Sequence, residues 1–270
     1  MDGESSLKII DFHVHIYPEA VAGKVAAAIG LPEEANHPER VIASGILAAQ
    51  KAAGISLSVN LPVATKAEHV AGTNAFAKTV PDGIISFAAL HPDTPNKREA
   101  LRQIKADGFK GVKFHPEFQF FTLDDPRMTE AWEEMSDLGL IAVFHAGGDR
   151  SFEPPFKTTP ADFRDFAKRY PELKIVAAHM GGYQMWYQTE TDLAGQADLY
   201  LDTSWLLFHC DPKQAVRMIR KHGADKVLFA TDSPWREPAD DVKAFLALPL
   251  TDDERELVLH KNAERLLGLC

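Results

Sequence analysis

Leu7-Lys8-Ile9-Ile10-Asp11-Phe12-His13-Val14-His15-Ile16 is an apolar run that ends in two histidines two residues apart. Successive side chains of a β-strand point to opposite faces, so His13 and His15 share one face of a strand here. Two imidazoles on one face, at the end of a buried strand, suit a single metal ion. Because an HxH pair alone is common, its meaning depends on whether other strands end in further ligands.

Seven further short apolar runs follow along the chain, and they are rich in β-branched residues. They are Ser56–Pro62, Ile84–Leu90, Gly111–Phe114, Leu140–His145, Lys174–His179, Leu199–Thr203 and Val227–Thr231. Most of them are almost continuously apolar, as expected of parallel strands buried on both faces.

Segments with the apolar spacing of helices separate these strands. They are Pro38–Gly54, Lys66–Val80, Asn96–Ala106, Pro126–Asp137, Thr159–Tyr170, Pro212–His222, Ala239–Leu246 and Asp252–Leu267. Thr251, with Glu254 three residues later, is the expected N-cap of the last helix.

The spacing of the strands predicts the fold. From the second strand onward, strands begin about 25–34 residues apart, which is the length of a βα unit. Eight such units predict an α/β fold, a closed (β/α)8 TIM barrel formed by residues 1–270 as one domain. The alternative is an open doubly wound sheet, but no Gly-rich dinucleotide loop follows the first strand. The longer first interval, residues 17–39, is predicted to be a loop inserted over the barrel mouth.

Composition narrows the class of protein. The formal net charge is −10, and no basic stripe is present, so a nucleic-acid partner is not expected. Cys210 and Cys270 form no CxxC pair and no disulfide framework. The first six residues are polar and lack the features of a signal peptide, and no apolar run is long enough to span a membrane. We therefore expect a cytoplasmic protein without a membrane partner.

Further candidate ligands stand at the ends of other predicted strands. His115, His145 and His179 end the fourth, fifth and sixth strands, and Asp232 follows the eighth. Active sites of TIM barrels form at the C-terminal ends of the strands. Five strands that end in a metal ligand or proton carrier therefore indicate one site at this rim.

At these residues the chain resembles the amidohydrolase superfamily. Within it, the resemblance is to the amidohydrolase-2 branch, which includes aminocarboxymuconate-semialdehyde decarboxylases and related aromatic-acid decarboxylases. The matching segments are Asp11-Phe12-His13-Val14-His15, Gly111-Val112-Lys113-Phe114-His115-Pro116, Phe144-His145-Ala146-Gly147, His179-Met180-Gly181-Gly182, Leu201-Asp202-Thr203-Ser204, Thr231-Asp232-Ser233-Pro234 and Asn262-Ala263-Glu264-Arg265-Leu266-Leu267-Gly268-Leu269. They cover nearly the whole chain in order and imply the barrel of the metal-dependent hydrolases.

The resemblance implies a ligand set for one divalent ion, most simply Zn²⁺. His13, His15 and His145 would bind it, with Asp232 as a further ligand or as the base for its water. His179 would be the second acid or base, so Asp232 and His179 are the predicted catalytic residues.

The number of ions depends on the fourth strand. An imidazole such as His115 cannot bridge two metals as a carboxylate does, which favours one ion. Lys113 and Glu117 leave a two-metal site as an alternative.

Three residues are predicted to contact a small-molecule substrate, namely His115, Trp235 and Arg236. Arg236 has two equal interpretations, as a residue that holds an anionic group by paired hydrogen bonds or as a surface charge. Asp202 has two interpretations, as the orienting partner of a ligand histidine or as a turn residue. A homodimer is one assembly consistent with the sequence.

The predicted reaction is hydrolysis of a small amide, lactone or ester by metal-activated water. The alternative is a zinc-dependent non-oxidative decarboxylase of a small unsaturated or aromatic acid, which the same residues would serve. A hydratase is a third reaction of the same type. A catalytically inactive barrel that only binds a ligand is a fourth interpretation, and the complete ligand set argues against it.

Overall fold

The computed structural model of the protein describes residues 7–28 and 37–269. Its strands run parallel and pair in chain order, the first three in one set and the last six in another. They are β1 (Ile10–Val14), β2 (Leu57–Asn60), β3 (Ile84–Ser86), β4 (Ala88–Ala89), β5 (Gly111–Phe114), β6 (Ile141–Phe144), β7 (Lys174–Ala177), β8 (Tyr200–Asp202) and β9 (Val227–Leu228). Each lies within one of the predicted strands.

Hydrogen bonds close these strands into a barrel. β3 and β4 are two parts of one predicted strand, and the Phe87 N–H between them donates to the Asn60 carbonyl at 2.9 Å. On the other side, the Phe12 N–H of β1 donates to the Phe229 carbonyl after β9, also at 2.9 Å. The predicted α/β (β/α)8 TIM barrel is therefore confirmed.

Helices alternate with the strands. They are α1 (Glu19–Ala28), α2 (Ala43–Ala53), α3 (Val70–Ala77), α4 (Lys97–Ala106), α5 (Pro116–Gln119), α6 (Thr129–Leu138), α7 (Pro160–Arg169), α8 (Trp186–Gln188), α9 (Pro212–His222), α10 (Pro238–Leu246), α11 (Asp252–Glu256) and α12 (Asn262–Leu267). A π-helical turn, Leu257–Lys261, joins α11 to α12, so the predicted last helix is continuous. Thr251 and Glu254 form the capping box expected there. In the described part of the chain, no helix has the length and apolarity needed to cross a membrane.

The prediction of a loop over residues 17–39 was wrong for its first part. Residues Glu19–Ala28 form α1, and the remainder up to residue 36 lies outside the described residues. Five of the ten residues of this helix are alanine, the residue with the highest helix propensity. Ala22 and Ala26, four residues apart, are buried in a small cluster with Val41.

Packing of the strands against the helices directs the site residues inward. Phe114 and Phe144 are neighbours in β5 and β6, and their rings stack 5.3 Å apart. Both pack against Trp132 of α6, at 5.0 and 5.4 Å between ring centroids. Because side chains alternate along a strand, the residues that follow them, His115 and His145, point to the other side of the sheet.

Candidate active site

His13, His15 and Asp232 bring three ligand atoms together. His13 Nε2 lies 3.2 Å from His15 Nε2, and Asp232 Oδ1 lies 3.3 Å from the first nitrogen and 3.0 Å from the second. The Asp232 N–H donates to the His13 carbonyl at 2.9 Å, which places the loop after β9 beside β1. These three residues form one compact group of potential metal ligands.

These distances fit a bound metal ion. Ligands about 2.0–2.1 Å from a metal lie roughly 3.0 Å apart at right angles and roughly 3.4 Å apart at tetrahedral angles. The three observed separations lie between 3.0 and 3.3 Å. Asp232 Oδ1 is also buried and has no hydrogen-bond partner. A buried acceptor is rarely left alone, so a cation beside this oxygen is the simplest way to satisfy it.

Asp202 at the end of β8 sets the orientation of His13. Its Oδ2 lies 3.0 Å from His13 Nδ1, and both side chains are fully buried. Because a carboxylate only accepts, His13 donates through Nδ1 and keeps the lone pair on Nε2, which faces His15 and Asp232. Burial would raise the pKa of Asp202, but His13 and its hydrogen bond lower it to about 2. The orienting role proposed for Asp202 is therefore visible in the structure.

His145 and His179 form a second pair beside this group. His179 Nε2 lies 3.0 Å from His145 Nδ1, and the His179 ring stacks on that of His13 at 5.3 Å. His145 Nε2 lies 2.8 Å from the Gly148 carbonyl, to which it donates, so Nδ1 carries its lone pair. Burial lowers the pKa of His179 to about 4. The structure thus brings His145 to His179, and not into the ligand group of His13, His15 and Asp232.

His179 is anchored from β8 through both its ring and its main chain. Its N–H donates to Asp202 Oδ1 at 2.9 Å, and its Nδ1 lies 2.8 Å from Ser204 Oγ. Ser204 Oγ in turn donates to Asp202 Oδ1. One carboxylate therefore orients both His13 and His179.

Lys113 and Glu117, which left a two-metal site open, have different surroundings. Lys113 is buried, and its Nζ lies 3.2 Å from His13 Nε2. Burial lowers the pKa of Lys113 to about 8. Glu117 instead accepts a hydrogen bond from the Lys157 N–H of the loop after β6. Lys113 thus belongs to the site, whereas Glu117 holds a loop.

His115, predicted to contact substrate, stacks on His145 with the ring centroids 4.1 Å apart. Its Nδ1 accepts from the Phe118 N–H, and its Nε2 lies 3.5 Å from Asp149 Oδ2. Burial lowers the pKa of His115 to about 4. His115 therefore lies beside the histidine pair, and Asp149 of the next loop is its partner.

Trp235 and Arg236, the other predicted substrate residues, have different contacts. The Trp235 ring packs on His15 at 5.5 Å and stacks on Tyr17 at 6.1 Å, measured between ring centroids. The Arg236 guanidinium lies 3.9 Å from the centre of the Phe208 ring, and its Nε is 3.4 Å from Asp241 Oδ2. Trp235 thus contacts a histidine of the ligand group, whereas Arg236 contacts Phe208 and Asp241.

Trp205, which follows β8, contacts Asp232, and the sequence did not predict this contact. Its indole Nε1–H donates to Asp232 Oδ2. Trp186, by contrast, donates its indole N–H to the His179 carbonyl at 3.1 Å. Trp205 follows β8 and Trp186 follows β7, so both lie at the C-terminal rim of the barrel. The contact of Trp205 depends on loop conformation, for which a single sequence offers no signal.

Solved structures resemble the whole chain. They include 2,6-dihydroxybenzoate decarboxylase from Rhizobium, at 20% identity and a TM-score of 0.71, covering 98% of this chain and 99% of the other. A 5-carboxyvanillate decarboxylase from Novosphingobium aromaticivorans, complexed with manganese and 4-hydroxy-3-methoxy-5-nitrobenzoic acid, has 17% identity, a TM-score of 0.75 and coverages of 99% and 98%. An uncharacterized TIM-barrel protein from Bordetella bronchiseptica has 22% identity, a TM-score of 0.75 and coverages of 97% and 99%. At these identities the likeness shows the fold alone.

Sequence comparison gives the family. No curated protein matches the chain closely enough to count as a relative. The model of the amidohydrolase family, Amidohydro_2, matches residues 10–269. Because this match spans nearly the whole sequence, the chain belongs to the amidohydrolase-2 family.

Proposed function

We propose that the protein is a metal-dependent carboxy-lyase that decarboxylates a small aromatic or unsaturated acid. The observation that carries the metal site is the buried Asp232 Oδ1, which lies between two imidazole nitrogens without a hydrogen-bond partner. Two of the similar solved structures are decarboxylases of aromatic acids, which favours decarboxylation over hydrolysis. The hydrolysis predicted from the sequence stays a prediction.

The residues that would hold one divalent ion are His13, His15 and Asp232, and we propose His145 as the fourth. When bound, the ion would act as a Lewis acid that binds and polarises an oxygen of the substrate. Imidazole and carboxylate donors together suit Zn²⁺ and also accept Mn²⁺. Zinc is the ion predicted from the sequence, whereas a similar decarboxylase is complexed with manganese.

The proton carriers are Asp232 and His179. In decarboxylation, one of them protonates the substrate carbon that bears the carboxylate. The carbon–carbon bond then breaks, its electrons restore the ring or alkene, and carbon dioxide leaves. Ser204 and Asp202 hold the His179 ring and main chain, which keeps Nε2 directed at His145 and the site centre.

Arg236 is the group that we assign to a carboxylate of the substrate. Its guanidinium lies over Phe208 and within 6.0 Å of the Trp205 ring, which in turn contacts Asp232. An aromatic acid bound between these rings would stack on them and pair with the arginine. His115 and Trp235 remain the other proposed substrate contacts.

The test is a comparison of products with protein loaded with manganese or zinc. Hydroxybenzoates and small unsaturated acids are assayed for carbon dioxide release, and lactones, esters and amides are assayed for acid release. We expect carbon dioxide from at least one acid, and none from metal-stripped protein or the Asp232→Asn variant. Hydrolysis of the second panel without carbon dioxide from the first would contradict the proposal, and so would failure of both.

A further inference from the structure

The two oxygens of Asp232 have different surroundings. Oδ2 accepts the indole N–H of Trp205, whereas Oδ1 is buried without a partner and faces His13 and His15. An indole has one donor and no acceptor, so Trp205 can hold only one carboxylate oxygen, and here that oxygen is Oδ2. The carboxylate is thereby divided into one oxygen held by the protein and one left for a ligand.

Contacts from three loops hold the Trp205 ring. His209 stacks on it at 5.3 Å and an interplanar angle of 25°, and Tyr183 meets it edge-on at 5.7 Å. The Arg236 guanidinium lies 6.0 Å from its centre. An indole packed in this way cannot turn its N–H away without disturbing several neighbours.

The backbone on both sides of the contact is in an uncommon conformation. Trp205 has φ +61° and Asp232 has φ +64°, both in the left-handed region. Bulky residues rarely adopt it, and the cost is of order 1–3 kcal/mol each. Such residues persist only where their surroundings fix them, and here the two conformations bring the indole N–H to the carboxylate.

We propose that Trp205 is a positioning residue for the metal site. By occupying Oδ2 it presents Asp232 to the ion through Oδ1 alone and keeps that oxygen beside His13 and His15. The inference rests on the metal site of the proposed function, and it is independent of which reaction the protein catalyses.

The test combines metal binding with a direct view of the indole. Trp205→Phe keeps an aromatic ring but removes the N–H, and Trp186→Phe is the matched control because that indole donates to a main-chain carbonyl. Zn²⁺ affinity is measured by competition with a chromophoric chelator. We expect a roughly 10- to 100-fold weaker affinity for Trp205→Phe, which is usual when the partner of a metal ligand is lost. Trp186→Phe should match the wild type.

Two spectra test the mechanism without relying on turnover. In the wild-type protein labelled with ¹⁵N-tryptophan, the Trp205 indole signal, assigned by its loss in Trp205→Phe, should shift when Zn²⁺ is added. The visible spectrum of the Co²⁺ protein should differ between the wild type and Trp205→Phe, because a freed Oδ2 changes the coordination. An unshifted indole signal, together with equal affinities and equal Co²⁺ spectra, would overturn the inference. If the wild type takes up no metal at all, the proposed function fails first, and the inference fails with it.

Discussion

Replacing Asp202 with asparagine should reverse the tautomer of His13. Asp202 Oδ1 accepts from the His179 N–H at 2.9 Å, from the Ser204 N–H at 3.1 Å and from the Ser204 hydroxyl. In Asp202→Asn these donors hold the amide oxygen on their side, so the NH₂ group faces His13 Nδ1. His13 must then accept through Nδ1 and carry its proton on Nε2, the nitrogen directed at the metal site.

The expected effect of Asp202→Asn is a weaker affinity for the metal ion. Loss of the partner that orients a ligand histidine weakens metal binding by about 10- to 100-fold, or about 1.4–2.7 kcal/mol. The dissociation constant for Zn²⁺ is measured by chelator competition for the wild type and for Asp202→Asn. The control is Asp241→Asn, which makes the same replacement at another fully buried carboxyl, one that is bonded to Arg236 and not to His13. Affinity of Asp202→Asn within twofold of the wild type would refute the tautomer argument.

Three further variants test the proposed roles. Arg236→Met should raise KM for an acid substrate and so lower kcat/KM by about 10- to 100-fold, because a charged hydrogen bond of roughly 1.5–3 kcal/mol is lost. The control Arg217→Met, at a surface ion pair, should leave KM unchanged. An unchanged KM in Arg236→Met would argue against Arg236 as the carboxylate anchor. His179→Ala should lower kcat by about 10²–10⁴-fold with metal content unchanged, and loss of metal would show that His179 is a ligand. Burial raises the pKa of Asp241 from 3.8 to about 7, so its contribution to stability is lost as pH rises between these values. From roughly pH 5 to pH 7.5 the wild type should therefore lose about 2 kcal/mol more than Asp241→Asn in urea unfolding, and parallel losses would contradict the shift.

The barrel and its rim could be predicted from local patterns. The alternation of side chains along a strand places His13 and His15 on one face, independently of the rest of the fold. The C-terminal ends of the parallel strands meet at one rim of the barrel. Asp232 follows the last strand, which a closed barrel necessarily sets beside the first. These relations need only the strand positions and the topology, and both were readable from the apolar runs.

Other parts of the site depend on details that a single sequence does not carry. His145 faces His179 because its Nε2 is taken by the Gly148 carbonyl, and that contact is set by the turn after β6. Trp205 reaches Asp232 through two left-handed residues in separate loops. The segment of helix α1 lies in a long, proline-containing interval that favours a loop, and its alanines do not separate into clear apolar and polar faces. Side-chain contacts across loops therefore required the structure.

The most direct test of the account is a crystal structure of the manganese-loaded protein with an anomalous difference map. We expect one ion per chain, bound by His13 Nε2, His15 Nε2 and Asp232 Oδ1 with His145 as the proposed fourth ligand, and Asp232 Oδ2 still accepting from Trp205. A map without an ion between these three atoms, or with the ion held elsewhere, would contradict it.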